Sequence, residues 1–351
     1  MASAASIRGR PPVTRNRTIM ANTKKLDRRR KSVRNIRKIT KTMELIATAQ
    51  FKRAMDRSMA INAYTRRIVT LVGHLKHAGV EVVHPLLKEH KQTERTVLLV
   101  LSSNRGLCGG YNAGVLRLAT PRIKEMREEC SDGFSLEISG KRGISFYKFR
   151  GVPIATTFTH FEDKPQFEEV NELANRYMED YMTGKIDRLE IVYTKFVSMS
   201  KQVPVHETLL PMTRLIGSED TIDLNAKDDS NRQKSEAELK KEAMVRAAQS
   251  KLAKSSSALG EGGGDEIPFE FYPSIESIME EAVTTAFKVK LFKCFLDAAV
   301  NEQIARMIAM KAANDNAQKM IDSLGRAYNR ARQGKITSEL TELVGGAEAL
   351  S

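Results

Sequence analysis

Three groups of residues in this sequence have the types and spacing to do chemistry. The run Ser102-Ser103-Asn104-Arg105-Gly106-Leu107-Cys108-Gly109-Gly110-Tyr111-Asn112 follows a strand-like stretch, Thr96-Val97-Leu98-Leu99-Val100-Leu101, and opens onto a helical one. A Gly-rich turn between a strand and a helix is where α/β proteins cradle phosphate, because free N–H groups and the helix dipole converge there. This run lacks GxGxxG and the Gly-Lys-Ser/Thr ending of a P-loop, and no clear ribose-binding acid follows it. Its glycines are expected to make a tight turn. Cys108 sits where a helix N-terminus would activate a thiol, but no histidine lies near it in the sequence. The second group is Arg28-Arg29-Arg30-Lys31 with Arg34, Arg37, Lys38 and Lys41, the spacing of a basic face. The third is the scatter of Cys108, Cys130, Cys294 and the six histidines, which form no CxxC, CxxH or HExxH pattern. Reduced thiols are expected, with no metal centre, disulfide framework or cofactor.

The basic face carries the whole charge of the chain. Residues 1–57 hold 17 Lys and Arg against Asp27, Glu44 and Asp56, and the net charge is +14, so the remainder is neutral. Such an excess calls for an acidic partner: nucleic acid, anionic lipid or an acidic protein surface. A hydrophobic seam runs through the same helix, which a free DNA-reading helix does not need. An acidic protein is therefore favoured and nucleic acid is not expected.

The elements that position these groups are two long helices and a domain between them. From Lys24 to about Ala78 there is no proline and one glycine, and small or apolar residues recur at steps of three and four. The stripe reads Leu26, Val33, Ile36, Thr40, Met43, Ala47, Ala54, Ile61, Tyr64, Ile68, Leu71 and Leu75, interrupted by Arg29, Gln50 and Arg57. A second stripe follows the Pro273-Ser274 start signal: Val300, Gln303, Met307, Met310, Asn314, Ala317, Ile321, Leu324, Tyr328 and Ala331. Seven-residue seams this narrow predict that the helices pair with each other as an antiparallel, left-handed coiled coil.

Between them, strand-like runs at 96–101, 134–138, 152–158, 189–196 and 203–210 alternate with helical stretches at 113–129 and 166–182. That order predicts a mainly parallel, covered sheet. The fold class is thus α/β: a long antiparallel coiled coil of N- and C-terminal helices plus a Rossmann-like α/β domain. The expected boundaries are 1–19, a disordered extension; 20–80, the first coiled-coil helix; 93–217, the α/β domain; 219–266, a charged and mostly flexible insertion; and 273–351, the second coiled-coil helix. The insertion holds eleven acids, eight bases and no aromatic residue, and ends in glycines. No apolar run is long enough to span a membrane.

Four separated blocks carry a family resemblance. The segment 31–53, KSVRNIRKITKTMELIATAQFKR, resembles the N-terminal helix of the gamma subunit of F-type ATP synthases. The loop 103–112, SNRGLCGGYN, is similar to that family's loop after its first strand, and 305–336 to its C-terminal helix. The family's terminal signature is met by Ile336, Thr337, Glu339, Glu342, Gly346 and Ala347. The resemblance implies a rotor shaft that contributes no catalytic side chain, couples ion flow to ATP synthesis or hydrolysis, and binds no cofactor. Its implied partners are the alpha and beta subunits of the catalytic ring, the epsilon subunit and the ring of c subunits. By the same resemblance Met43, Arg306, Gln333, Thr337 and Glu339 contact the alpha/beta ring, and the basic helix faces an acidic segment of beta. Membrane association is implied only through the complex, at the cytoplasmic face of a bacterial inner membrane. If residues 1–19 are a transit peptide, an organellar inner membrane takes its place.

Overall fold

The computed structural model describes residues 14–77, 84–90, 93–130, 133–161, 164–212 and 275–348, with the side chains of 23–61 and 280–347 in the two terminal helices. The charged insertion expected at 219–266 lies outside the described residues. Helix α1 spans Thr14–His77. It starts earlier than residue 20, two residues past Pro11-Pro12, because proline is excluded from a helix interior but tolerated beside its first turn. The last helix, α5, spans Ile275–Glu348, 74 residues, and begins directly after Pro273-Ser274. No described helix is long and apolar enough to cross a membrane.

The domain between them comprises β1 (Thr96–Leu101), α2 (Tyr111–Cys130), β2 (Phe134–Ser139), α3 (Lys141–Phe149), β3 (Thr156–Phe158), α4 (Phe167–Met182), β4 (Arg188–Phe196) and β5 (Gln202–Leu210). The sheet order is β3-β2-β1-β4-β5. β1 pairs in parallel with β2 and β4, β2 with β3 likewise, and β5 closes the edge antiparallel to β4. Every residue of the central strand is buried, since its alternate side chains enter two cores. Val97, Leu99 and Leu101 pack with α4 and α5; Leu98 and Val100 pack with α2 and α3. The short α3 was not expected from the sequence.

α5 has two jobs along its length. Residues 300–331 present one stripe to α1, and all ten residues expected on that seam are buried or half-buried. Earlier in the helix, Phe287, Leu291, Phe292 and Phe295 are part of the sheet core while other faces meet β4. The expected narrow seam therefore holds only for the outer part; the inner part is a core helix. Polar groups dock it: Asn301 Nδ2 donates to the Thr194 carbonyl at 2.7 Å, and Lys290 Nζ reaches Glu207 Oε2 at 2.8 Å.

Asp297 lies in this docked stretch, 4 % exposed. Burial pushes its carboxyl up to about 6, against the pull of Lys293, Lys290, Lys195 and the Phe196 N–H. A raised carboxyl stabilises the fold below its ordinary value of 3.8 and loses that contribution as pH climbs through about 6. Asp297→Asn removes the titration. Its stability advantage over the parent chain should be near nil at pH 4 and grow to about 1–3 kcal/mol at pH 7–8. Chemical denaturation of both chains across that range checks it.

Candidate functional site: the paired helices and the loop at their root

The seam between α1 and α5 is where the structure departs most from the sequence pattern. Thr40, Ala47 and Ala54 are buried as the spacing requires. The alternate stripe is displaced by one residue. Arg29, Ile36, Met43 and Arg57 are exposed, whereas Arg30, Glu44, Phe51 and Ser58 turn inward. A seven-residue seam needs one step of three and one of four, and either order serves the small positions. Tertiary contact selects the order: Phe51 and Met55 pack on the cluster of Ala54, Val300 and Ile304, with Phe196 of β4 behind it. Pairing is antiparallel, for Arg30 lies over the Tyr328 ring at 4.8 Å while Ala54 meets Ile304.

This places the residues assigned to the ring contact. Met43 is 37 % exposed at the flank of the seam, with Ile36, Ile39 and Ile46 exposed on the same side of α1. Gln333, Thr337 and Glu339 are exposed on α5. Thr337 Oγ1 donates to the Gln333 carbonyl at 3.1 Å, and Lys335 Nζ lies 3.4 Å from Glu339. Arg306 differs: it is 7 % exposed, held by Glu302 and donating to Gln303 Oε1 at 2.9 Å. It stands 27 residues from Gln333 on the same helix, about 40 Å away at 1.5 Å per residue. The five residues therefore do not form one patch but mark the two ends and the middle of a rod.

Near its end α5 also exposes Ile336, Leu340, Leu343 and Val344, spaced i, i+4, i+7, i+8 along one face. The sequence pattern ran out before this stripe; the period alone would have found it. On α1, exposed Arg28, Arg29, Arg34, Arg37 and Lys38 form no ion pair among the described residues, while Asp27 pairs with Arg30 and Lys31.

The loop 102–112 lies at the root of the rod. Ser103 Oγ donates to the Arg105 carbonyl at 2.6 Å, and Asn112 Nδ2 reaches Ser103 Oγ at 2.7 Å and Cys108 Sγ at 3.2 Å. Cys108 is thus a buried strut within the turn. Gly109 has φ +55 and leaves room for 3.6 Å between an added Cβ and Ala309, so the loop lies flat on α5. Behind the loop, the crevice where β1 parts from β4, the usual ligand position in such sheets, is filled. Phe295, Ala298, Ala299 and Glu302 of α5 occupy it, and Tyr111 donates to the Ala298 carbonyl at 3.2 Å. The remaining cavity is about 30 Å³, room for a water, where ligand pockets run to hundreds.

A family described as ATP synthase matches residues 22–350. The chain is 50% identical over 331 residues to the ATP synthase gamma chain of Rhodopirellula baltica, covering 94% of this chain and 99% of that one. It is 34% identical over 334 residues to the ATP synthase gamma chain of Leptospira biflexa, covering 95% and 100%. Among solved structures, it resembles a chain of the Euglena gracilis mitochondrial ATP synthase (OSCP/F1/c-ring, rotational state 3). That chain has a TM-score of 0.55 at 15% identity, with 94% of this chain and 95% of that one covered, a likeness of fold. Long paired helices, a filled crevice and near full-length similarity agree, and the chain belongs to the ATP synthase gamma chain family.

Proposed function

We propose that the alpha and beta subunits of a catalytic ring enclose the paired helices and are touched by Met43, Arg306, Gln333, Thr337 and Glu339. As a gamma chain the protein is the central stalk of an ATP synthase, the rotor of the complex, and is not itself catalytic. The observation that carries the ring contact is the apolar stripe of Ile336, Leu340, Leu343 and Val344, left uncovered near the end of α5. An exposed stripe of that kind on a rod asks for a sleeve that buries it while allowing rotation. Unpaired cations on α1 suit an acidic segment of beta facing them. Arg306 enters at the root, where a partner carboxylate would compete with Glu302 for its guanidinium. The epsilon subunit and the c ring would engage the α/β domain, on the cytoplasmic face of a bacterial inner membrane. The rod is asymmetric, so its rotation presents a different face to each catalytic site and selects among states that bind nucleotide unequally.

Met43→Lys tests the assignment. The thioether stands half out of the seam on a helix rich in exposed lysine and arginine. A lysine there gains an ion pair in only some rotary positions, deepening one angular minimum by about 1–3 kcal/mol. Hydrolysis and assembly should persist while ATP-driven acidification per ATP falls severalfold in membrane vesicles. An unchanged ratio would remove Met43 from the contact.

A further inference from the structure

Two acceptors buried in the seam of the rod lack partners. Lys41 Nζ holds Glu44 Oε1 at 3.1 Å, but Glu44 Oε2 is buried without a hydrogen bond, and so is Asn314 Oδ1. Buried oxygens left unpaired are costly. The cross-helix contacts put these two at one level. Fourteen residues along from Arg30 and fourteen back from Tyr328, a stacked pair, stand Glu44 and Asn314. Ten further in each direction stand Ala54 and Ile304, which pack together. A half-turn of the Asn314 amide exchanges its oxygen for Nδ2, giving Glu44 a donor and swinging Oδ1 toward the exposed side of a half-buried residue.

We propose that Glu44 and Asn314 form a hydrogen-bonded polar layer that fixes the register of α1 on α5. The rod needs such a device because its neighbouring seam residues are small. Thr40, Ala47, Ala54 and Ala317 are all buried, and small residues pack about as well one heptad along. A layer whose polar groups are satisfied in a single alignment breaks that degeneracy, as a buried polar residue does in other coiled coils. The register then sets where along α1 the ends of α5 fall.

Disulfide trapping in the full-length chain reads the register directly. Ala47→Cys with Met310→Cys reports the native alignment. Ala47→Cys with Ala317→Cys reports a shift of one heptad, about 10 Å along the axis and beyond disulfide reach in the native one. A chain with only Cys108, Cys130 and Cys294 sets the background. In the native seam the first pair should oxidise and the second stay at background. With Glu44→Leu and Asn314→Leu added, the shifted pair should rise at least about threefold, because an all-apolar seam no longer distinguishes the alignments. Either single leucine variant should melt below the parent chain, and the double variant at or above it, since only the singles leave a buried polar group without its partner. A shifted pair that stays at background in the double variant overturns the proposal, and so do melting losses that simply add.

Discussion

Ala47→Trp is expected to force the middle of the rod apart. Ala47 is 0 % exposed on the stripe where α1 approaches α5, with Thr40 and Ala54 buried one heptad to either side. Met310, at the facing level of α5, is buried as well, so the seam holds no open space at that level. An indole cannot be accommodated without moving one helix, and overpacking of this kind costs about 1–3 kcal/mol or more. The loss concentrates in the coiled coil, because the sheet core lies elsewhere. Thermal melting of the full chain should show a lower transition, and assembly with ring subunits should fail at the same position. Ile46→Trp, one residue away on the exposed side, is the control for folding and should leave the melting transition within error. Equal losses from the two variants would mean that the face assignment of α1 is wrong.

Arg122→Met should cost more, in the other half of the molecule. Glu190 in β4 is 2 % exposed, and Arg122 of α2 holds both its oxygens at 2.9 Å through Nε and Nη2. His206 of β5 contacts Oε2 from the other side. Burial by itself would raise this carboxyl. The hydrogen bonds from His206 and Arg122 outweigh it and bring Glu190 down to about 2 from an ordinary 4.5. Methionine replaces the guanidinium stem but leaves the buried carboxylate with only His206 and, at 3.6 Å, Arg188, a loss of about 3 kcal/mol. Arg122→Met/Glu190→Leu should recover most of it, since no buried charge remains. A depressed carboxyl contributes stability above its unfolded value and loses it as pH falls. The gap between parent and single variant should therefore be full at pH 7 and close between pH 4.5 and about 2. Urea midpoints measured across that range decide the matter, and a gap independent of pH would show that the guanidinium acts through packing alone.

Much of this protein is written locally, and the parts that are not share a cause. Five strands and the helices at α2 and α4 follow from runs such as Thr96–Leu101, whose apolar residues suit a strand covered on both faces. The outer seam of α5, Val300 to Ala331, was readable because a helix that pairs along one stripe must repeat every seven residues. The family blocks were readable for a different reason: they are separated, ordered and rich in unusual spacing. On α1 the same logic stopped halfway. Apolar residues stand on both sides of its small stripe, Ile36 and Met43 on one and Phe51 on the other, so spacing alone admits two seams. Contact with Val300, Ile304 and Phe196 chooses the one that buries Glu44 and leaves Met43 half out. The filled crevice behind the loop 102–112 was likewise out of reach, because Phe295 and Ala298 lie nearly two hundred residues from the strand they cover. Periodicity records that a face is buried. Which neighbour buries it, and with what it must hydrogen-bond there, depends on groups far apart in the chain that only the folded structure brings together.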